Sequence, residues 1–255
     1  MAAHGMSDTI IETRGLSKEF RGFRAVSEVD LRVRKGTIHA LIGPNGAGKT
    51  TMFNLLTRFL PASAGMILFK GRDITRDDAA VVAQRGMVRS FQISSTFPHL
   101  SVRENVRIAL QRPLGLTYRF WRSARCLEPL NERADELIDA VALSGYRQAR
   151  ACDLSYGRKR ALEFATTLAL EPEVLLLDEP MSGLGHEDIE RIAGLIRAAA
   201  RGRTVLMVEH NLKVVADLSD TITVLARGRV LAEGAYAVVA ANPEVRSAYM
   251  GASDA

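Results

Sequence analysis

An eight-residue segment, Gly43–Thr50, constrains the fold of this chain more than any other feature. It reads Gly-Pro-Asn-Gly-Ala-Gly-Lys-Thr and fits the pattern G-x-x-x-x-G-K-[ST] at every position. The apolar run Thr37–Ile42 predicts a strand before it, and the pattern of Thr50–Phe59 predicts a helix after it. Strand, glycine-rich turn and helix in this order predict a phosphate-binding loop, because glycines let backbone N–H groups curl around an anion that the helix dipole attracts.

The side chains at the end of this loop suit a nucleoside triphosphate with its metal ion. Lys49 is expected to place its ammonium on the β- and γ-phosphates, and the Thr50 hydroxyl is expected to hold Mg²⁺, which requires oxygen ligands. The alternative, a glycine turn without a ligand, does not account for the flanking strand and helix. The residues expected to contact the nucleotide here are Gly43, Pro44, Asn45, Gly46, Ala47, Gly48, Lys49, Thr50 and Thr51.

Two carboxylates follow a second apolar run, Val174–Leu177. Open α/β sheets bind ligands at the carboxyl ends of their strands. Asp178 is therefore expected to point towards Mg²⁺, directly or through water, and Glu179 to polarise an attacking water as general base. Alone, an apolar run with two acids also fits a surface turn. The phosphate-binding loop in the same chain favours the catalytic interpretation.

The remaining pattern predicts an α/β fold. Ile10–Ile42 indicates strands and turns, with alternation at Val29–Arg34, and Met66–Phe69 indicates a further strand. Alternating strands and helices near the C-terminus predict a mainly parallel sheet, interrupted by a helix-rich middle that forms a separate lobe. The predicted middle helices are Val102–Leu110, Asn131–Leu143 and Ala161–Leu170; the later elements are Val174–Leu177, Glu187–Ala200, Thr204–Val208, Leu212–Leu218 and a hairpin of Thr221–Leu225 with Arg229–Ala232.

Composition narrows the partners. The net charge of +5 is dispersed, without a run of five basic residues, so a nucleic-acid-binding tail is not indicated. The apolar runs are too short to span a bilayer, so any membrane role requires a partner. The two cysteines, Cys126 and Cys152, do not have metal-site spacing. Arg112–Leu127 carries the only tryptophan, Trp121, which predicts a loop with a buried anchor or, alternatively, a partner contact.

A further motif gives the arrangement a family resemblance. Leu154-Ser-Tyr-Gly-Arg158 is similar to the LSGGQ signature, and with the two motifs above the chain resembles the ATP-binding-cassette (ABC) ATPases from Ile10 to about Gly251. The resemblance implies a P-loop NTPase with a RecA-like parallel core, an N-terminal antiparallel β subdomain and an inserted helical lobe. It places the core at 8–92 and 171–251 and the helical subdomain at 93–170.

The resemblance also assigns the signature residues. Ser155 and the backbone at Gly157 are expected to touch the γ-phosphate held by an opposite subunit. Tyr156 replaces the first inner glycine of the signature and Arg158 replaces its glutamine, which leaves the finer contacts to that nucleotide open. Ser155 is also placed to be the N-cap of a helix over Gly157–Leu170, and the two roles are compatible.

Four other positions match family motifs. Gln92 corresponds to the Q-loop glutamine that senses Mg²⁺ and the attacking water, and His210 to the histidine that hydrogen-bonds the γ-phosphate. Ser182–Gly185 resembles the D-loop, with Gly185 in place of an acidic or amide residue. Phe20 lies where the family has an aromatic ring that stacks on adenine, although a core phenylalanine is the alternative.

Four features of the sequence resemble one branch of the family, the ATPase subunits of branched-chain amino-acid importers. They are the Arg89–Gln92 sequence Arg-Ser-Phe-Gln, the tyrosine in the signature, the Val208–Asn211 sequence Val-Glu-His-Asn and the tail Asn242–Gly251. The resemblance implies a location at the cytoplasmic face of the plasma membrane. It also implies ATP and Mg²⁺ as ligands, two permease subunits, a periplasmic solute-binding protein and a second ATPase, either another copy or a paralogue. Related systems for urea, short amides or aromatic acids remain open.

The implied mechanism is a head-to-tail dimer that closes on shared ATP and relaxes after hydrolysis. A groove near Gln92–Leu100 is expected to accept a short coupling helix of the permease. The candidates for that contact, Ile93, Phe97 and Leu100, are equally compatible with core packing.

Three other functions share part of this residue pattern. A soluble ABC ATPase acting on nucleic acid or ribosomes usually has tandem cassettes or coiled-coil inserts, which are not seen in this sequence. A P-loop kinase requires an acceptor site and a lid, and requires neither a signature motif nor His210. A catalytically dead regulatory cassette is disfavoured by intact Lys49, Asp178, Glu179 and His210.

Overall fold

The computed structural model describes residues 8–90, 96–112 and 128–250, apart from the side chain of Met250. By its internal contacts the chain forms two compact units. Unit 1 comprises Met1–Arg89, Glu173–Glu179 and Ala200–Ala255, and unit 2 comprises Ser90–Pro172 and Pro180–Ala199.

The first sheet of unit 1 is antiparallel. It consists of β1 (Thr9–Phe20), β2 (Phe23–Arg34), β4 (Ala64–Phe69) and β5 (Arg72–Asp73), in the order β2-β1-β4-β5. In β2 the apolar side chains of Val29, Leu31 and Val33 are buried, whereas the polar residues between them are exposed. This alternation is the predicted one, and it marks a sheet with one face on the core.

The second sheet is mainly parallel. Its order is β10-β9-β3-β8-β7-β6, from β3 (Ile38–Ile42), β6 (Met87–Ser90), β7 (Val174–Asp178), β8 (Thr204–Val208), β9 (Thr221–Ala226) and β10 (Arg229–Gly234). The pairs β7·β8, β8·β3 and β3·β9 are parallel, and β9 and β10 form the predicted antiparallel hairpin. Every residue of β3, β7 and β8 is buried, as expected for strands covered on both faces. The fold is thus the predicted α/β P-loop fold.

The helices of unit 1 are short. They are α1 (Lys49–Leu56), α2 (Ala79–Gln84), α7 (Leu212–Leu218), α8 (Tyr236–Ala241) and α9 (Pro243–Met250). The prediction that the first of these continues to Phe59 was wrong. Arg58 has φ of 61°, a left-handed conformation that cannot continue a right-handed helix, so α1 ends at Leu56.

Unit 2 contains α3 (Val102–Leu110), α4 (Leu130–Ala140), α5 (Tyr156–Leu168) and α6 (His186–Ala199). A capping box of Ser101 and Glu104 starts α3. Ala142, with φ of 57°, follows the end of α4, which therefore stops before the predicted Leu143. The predicted inward face of this segment is confirmed, because Ala134, Leu137, Ile138 and Val141 are all buried.

Some predictions fall outside the described residues. Gln92, Ile93 and Cys126 are among these, as is Trp121 with most of its segment. Of the helices that the structure describes, none has the length and apolarity needed to cross a bilayer. Cys152 has a free, partly exposed thiol.

Candidate functional site

The loop Gly43–Thr50 joins β3 to α1, and two of its three glycines are required by close backbone neighbours. A Cβ atom at Gly43 would lie 2.1 Å from the carbonyl oxygen of Leu225, and one at Gly48 would lie 2.5 Å from that of Ala25. At Gly46 nothing lies within 4 Å, and its φ of 77° alone favours glycine. Ala47 is buried and its carbonyl accepts a hydrogen bond from the N–H of Gly228 at 3.0 Å. The loop is therefore held by strands on both sides.

Lys49 is buried at the first turn of α1. Its Nζ donates to the carbonyl oxygens of Gly43 at 2.7 Å and Pro44 at 2.9 Å. Burial lowers the pKa of this ammonium, and the carboxylates of Glu179 and Asp178 oppose that shift. The two acids therefore act electrostatically on the loop lysine, as expected for groups of one site.

Asp178, the last residue of β7, has an unforeseen partner. Its Oδ2 forms an ion pair with the Arg89 guanidinium, and the two side chains are only 1% and 11% exposed. Arg89 lies in β6, donates from Nη1 to Asn54 Oδ1 at 2.6 Å and stacks 5.7 Å from the Phe53 ring centre. Sequence reasoning missed Arg89 and Asn54 as site residues: Arg89 was noted only as part of the Arg89–Gln92 segment, and Asn54 belongs to no residue pattern with a known chemistry. The only available signal was the place of Arg89 just before Gln92.

The residues of this site fit a magnesium ion bound with a nucleotide. Asp178 Oδ1 is a buried oxygen without a hydrogen-bond partner among the described residues. The Thr50 residue, one position after Lys49, is exposed. Within the described ranges no three His, Cys, Asp or Glu side chains cluster as a metal site. With a nucleotide, Mg²⁺ is usually bound by one or two protein oxygens, and phosphate oxygens and water complete its coordination.

Glu179 is held in a strained backbone conformation. Its φ of 47° is left-handed, and its N–H donates to the carbonyl of Val208 at 2.9 Å. Such strain in a residue with a Cβ costs about 1–3 kcal/mol and tends to occur at functional sites. The bond to Val208 fixes the residue beside the carboxyl end of β8.

His210 follows β8 and is exposed. The preceding residue, Glu209, is fully buried, and its carboxylate accepts the N–H groups of His210 at 3.0 Å and Asn211 at 3.3 Å. Glu209 therefore shapes the turn that presents the imidazole. Sequence reasoning singled out His210 and missed Glu209, because a buried acid after a strand has no pattern of its own.

The signature segment lies in unit 2. Ser155 occupies the N-cap position of α5 with an extended backbone, but its hydroxyl makes no capping bond. A Cβ atom at Gly157 would lie 2.1 Å from Oδ2 of Asp188, so a larger residue at this position would displace the Asp188 carboxylate. The guanidinium of Arg158 stacks on the Tyr146 ring, 4.2 Å from its centre. The departure from glutamine at 158 thus serves packing within unit 2.

Phe20 ends β1 and is 44% exposed, with the Lys18 ammonium 5.1 Å from the ring centre. The alternative that Phe20 is a core residue was therefore wrong.

The structure brings most of the predicted unit 1 residues to one edge of the parallel sheet. The phosphate-binding loop follows β3, the acidic pair ends β7, and His210 follows β8, and these three strands are neighbours. Ser155 and Gly157 belong to unit 2, and Gln92 lies outside the described residues. Parallel neighbours present their carboxyl ends together, which is where an α/β sheet binds its ligand.

Comparison with known proteins agrees with this geometry. Residues 26–182 match the ABC transporter family, and residues 229–255 match the branched-chain amino acid ATP-binding cassette transporter family. The chain is 36% identical to the high-affinity branched-chain amino acid transport ATP-binding protein BraF of Pseudomonas aeruginosa, covering 96% of this chain and 99% of that protein. It is 34% identical to LivG of Escherichia coli K12, a protein described in the same words, with the same two coverages.

Solved structures give the same result. A nucleotide-free ATP-binding cassette from an ABC transporter superposes with a TM-score of 0.82 at 28% identity, over 94% of this chain and 98% of that one. The ADP conformation of an ATP-binding cassette of an ABC transporter also gives 0.82, at 29% identity over 95% and 99% of the two chains. By sequence and by structure, this chain belongs to the ABC transporter family, as one of its ATP-binding subunits.

Proposed function

We propose that this chain binds and hydrolyses ATP to drive an importer for branched-chain amino acids or a related small solute. The observation that carries the proposal is the convergence of a glycine-rich loop, Asp178–Glu179 and His210 at the carboxyl ends of three neighbouring strands. The two relatives described above are named as branched-chain amino acid transport ATP-binding proteins, which supports that solute class. They give no support to the alternative of a soluble ATPase acting on nucleic acid.

We assign the nucleotide site from the positions of these groups and, for Gln92, from the family resemblance alone. The loop 43–51 binds the phosphates, with Lys49 as its cation. Thr50 and Asp178 hold Mg²⁺, which neutralises phosphate charge when bound, and Gln92 is assigned to the same ion. Glu179 acts as general base on the attacking water, and His210 contacts the γ-phosphate. Phe20, with its exposed ring, covers the adenine.

A second subunit completes the site. Ser155 and Gly157 of a second copy, or of a paralogue, contact the γ-phosphate bound to this chain. The support is the start of α5, where the helix dipole is positive and the first turn carries no acidic residue of its own. A γ-phosphate shared in this way holds the dimer closed, and hydrolysis releases it.

The remaining partners follow from the family. ATP-binding subunits of ABC importers work with membrane permeases; two permease subunits and, indirectly, a periplasmic solute-binding protein are proposed here. The chain then lies at the cytoplasmic face of the plasma membrane. The nucleotide-binding core is assigned to 8–92 and 171–251 and the helical subdomain to 93–170. Within the latter, exposed Phe97 and half-buried Leu100 are candidates for the permease contact.

The decisive experiment is the variant Glu179→Gln with ATP and Mg²⁺, followed by light scattering. Loss of the general base is expected to lower turnover by about 100-fold or more and to trap the dimer. Glu171→Gln is the matched control, since Glu171 also has a left-handed backbone, with φ of 50°, but is exposed. A Glu179→Gln protein that stays monomeric and still turns over ATP would refute the proposal.

A further inference from the structure

We propose that Tyr156 is a positioning residue that links the signature turn to the loop Ser182–Gly185 within one chain. The proposal concerns two of the three places where unit 2 departs from the family motifs: Tyr156 stands in place of glycine, and Gly185 in place of an acidic or amide residue. The consequence for ATP turnover rests on the proposed function, whereas the link itself does not.

The tyrosine contacts the loop in two ways. Its phenol oxygen donates a hydrogen bond to the carbonyl of Ser182 at 3.2 Å. Its ring lies against Gly183, where a Cβ atom would be 3.4 Å from ring carbon Cε1 and from the phenol oxygen. Gly183 has φ of 74°, so the loop turns there in a conformation that favours glycine. The ring and the turn therefore fit each other closely.

Arg160 fixes the direction of the phenol proton. One turn along α5, its Nη2 donates to the phenol oxygen at 2.9 Å, and its guanidinium lies 5.2 Å from the ring centre. Glu163 holds the same guanidinium through Nη1 at 2.9 Å. Because the phenol has one proton and already accepts from a cation, that proton is available for the Ser182 carbonyl. Each hydrogen bond in the series Glu163–Arg160–Tyr156–Ser182 thus has one donor and one acceptor.

This series of side-chain contacts joins two segments that lie 26 positions apart in the sequence. Gly157, which the proposed function places on the γ-phosphate of the partner, directly follows Tyr156. A displacement of the first turn of α5 therefore reaches the Ser182–Gly185 loop through the phenol. The loop has no side chain at Gly185 to make a coupling contact of its own, so the link at Tyr156 acts on its backbone.

The hydroxyl, rather than burial, is expected to carry the effect. Tyr156 is 49% exposed, so removing its oxygen changes little buried surface. The test compares Y156F, which keeps the ring, with Y156G, which restores the common signature residue. Y236F is the matched control, because Tyr236 lies on α8 in unit 1 and is exposed to a similar extent.

The first measurement is hydrogen–deuterium exchange of peptides covering Ser182–Gly185 in the nucleotide-free protein. Losing one hydrogen bond is expected to speed exchange there by about 3- to 10-fold in Y156F, and further in Y156G. The melting temperature of the Tyr156 variants should match that of the wild type. The exchange rate of the Y236F protein should also match the wild-type rate. Unchanged exchange in both Tyr156 variants would overturn the link.

The second measurement is steady-state ATPase kinetics. Y156F is expected to lower kcat by about 3- to 10-fold while leaving KM for ATP unchanged, because the nucleotide-binding loop is untouched. Faster exchange with wild-type kcat would overturn the coupling role. A wild-type protein without ATPase activity or ATP-dependent dimer would instead count against the proposed function, and the exchange result would still decide the link.

Discussion

At the scale of single residues, the pairing of Arg89 with Asp178 is the feature that the nucleotide site depends on before any ligand binds. Both side chains are nearly buried, and a buried carboxylate is stable only with a compensating charge or strong hydrogen bonds. Arg89 supplies that charge from β6, while Asn54 on α1 holds its other nitrogen. The stabilisation of buried Asp178 therefore depends on contacts between distant residues, which no local sequence pattern shows.

We expect Arg89→Met to destabilise the nucleotide-free protein by about 3 kcal/mol, since it leaves a buried carboxylate uncompensated. Chemical denaturation measures this value. Saturating Mg²⁺ and ATP should recover part of the loss, because the metal ion also compensates Asp178. Arg133→Met is the control, as its ion pair with Glu136 is exposed and should be worth no more than about 1 kcal/mol. Equal losses in the two variants would contradict the role of Arg89.

Gly157 allows a second prediction at this scale. In Gly157→Ala the added methyl group would meet the Asp188 carboxylate, which must then rotate away. Because a short side chain can rotate, we expect a small change in melting temperature, but loss of the ATP-dependent dimer when combined with Glu179→Gln. Size-exclusion chromatography with light scattering measures the dimer.

The control for Gly157 is Gly194→Ala in the interior of α6, where a Cβ atom meets nothing within 4 Å. That change should stabilise the protein by about 0.5–1 kcal/mol and leave the dimer intact. A double variant of Gly157→Ala and Glu179→Gln that dimerises fully would show that this glycine does not face the partner's phosphate.

At the scale of elements, strands were easier to predict than helix ends. The buried runs in β3, β7 and β8 are mostly apolar, a signal that needs no knowledge of the partner strands. The ends of α1 and α4 were missed because Arg58 and Ala142, rather than glycines, adopt the left-handed conformation that stops them. Tertiary packing chooses such positions, and their residue types give no warning.

One chain of side chains crosses three strands of the parallel sheet. His39 Nε2 on β3 lies 2.7 Å from Thr223 Oγ1 on β9, and that hydroxyl donates to Glu233 Oε2 on β10 at 2.6 Å. Since the threonine proton goes to the carboxylate, Nε2 carries a proton and donates to Thr223. Burial, with a smaller contribution from Arg34, lowers the pKa of His39 from 6.5 to about 4.

This pKa predicts a pH-dependent stability. The unfolded chain takes up the imidazole proton near pH 6.5, whereas the folded chain resists it until about pH 4. The contribution of neutral His39 to the stability of the folded chain is thus complete above the unfolded pKa. It is lost as the pH falls towards 4. We expect about 2 kcal/mol less stability at pH 5 than at pH 8 from this residue.

Urea denaturation at both pH values measures the contribution of His39. His39→Gln cannot ionise, so its stability should fall less than that of the wild type between pH 8 and pH 5. His99→Gln, at an exposed histidine, should leave the wild-type difference unchanged. If His39→Gln shows the full wild-type difference, another group is responsible.

At the scale of the whole molecule, the sequence predicted the parts of the site that are contiguous and missed those that tertiary structure assembles. The loop Gly43–Thr50 and the pair after β7 were found because each is a short pattern with its own chemistry. Arg89 meets Asn54 and Asp178 from 35 and 89 positions away, and Tyr156 meets Ser182 from 26. Their side chains become informative only when the strands and turns that carry them are placed.

The neighbours of the phosphate-binding loop have a consequence for the way nucleotide affinity is controlled. Gly48 lies against Ala25, which belongs to the antiparallel sheet, and Gly43 lies against Leu225, which belongs to the parallel one. The shape of the loop thus depends on how two separately hydrogen-bonded sheets pack around it. A side chain at Gly228, where a Cβ atom would lie 2.7 Å from the Ala25 carbonyl oxygen, would disturb this packing and weaken ATP binding without touching the nucleotide.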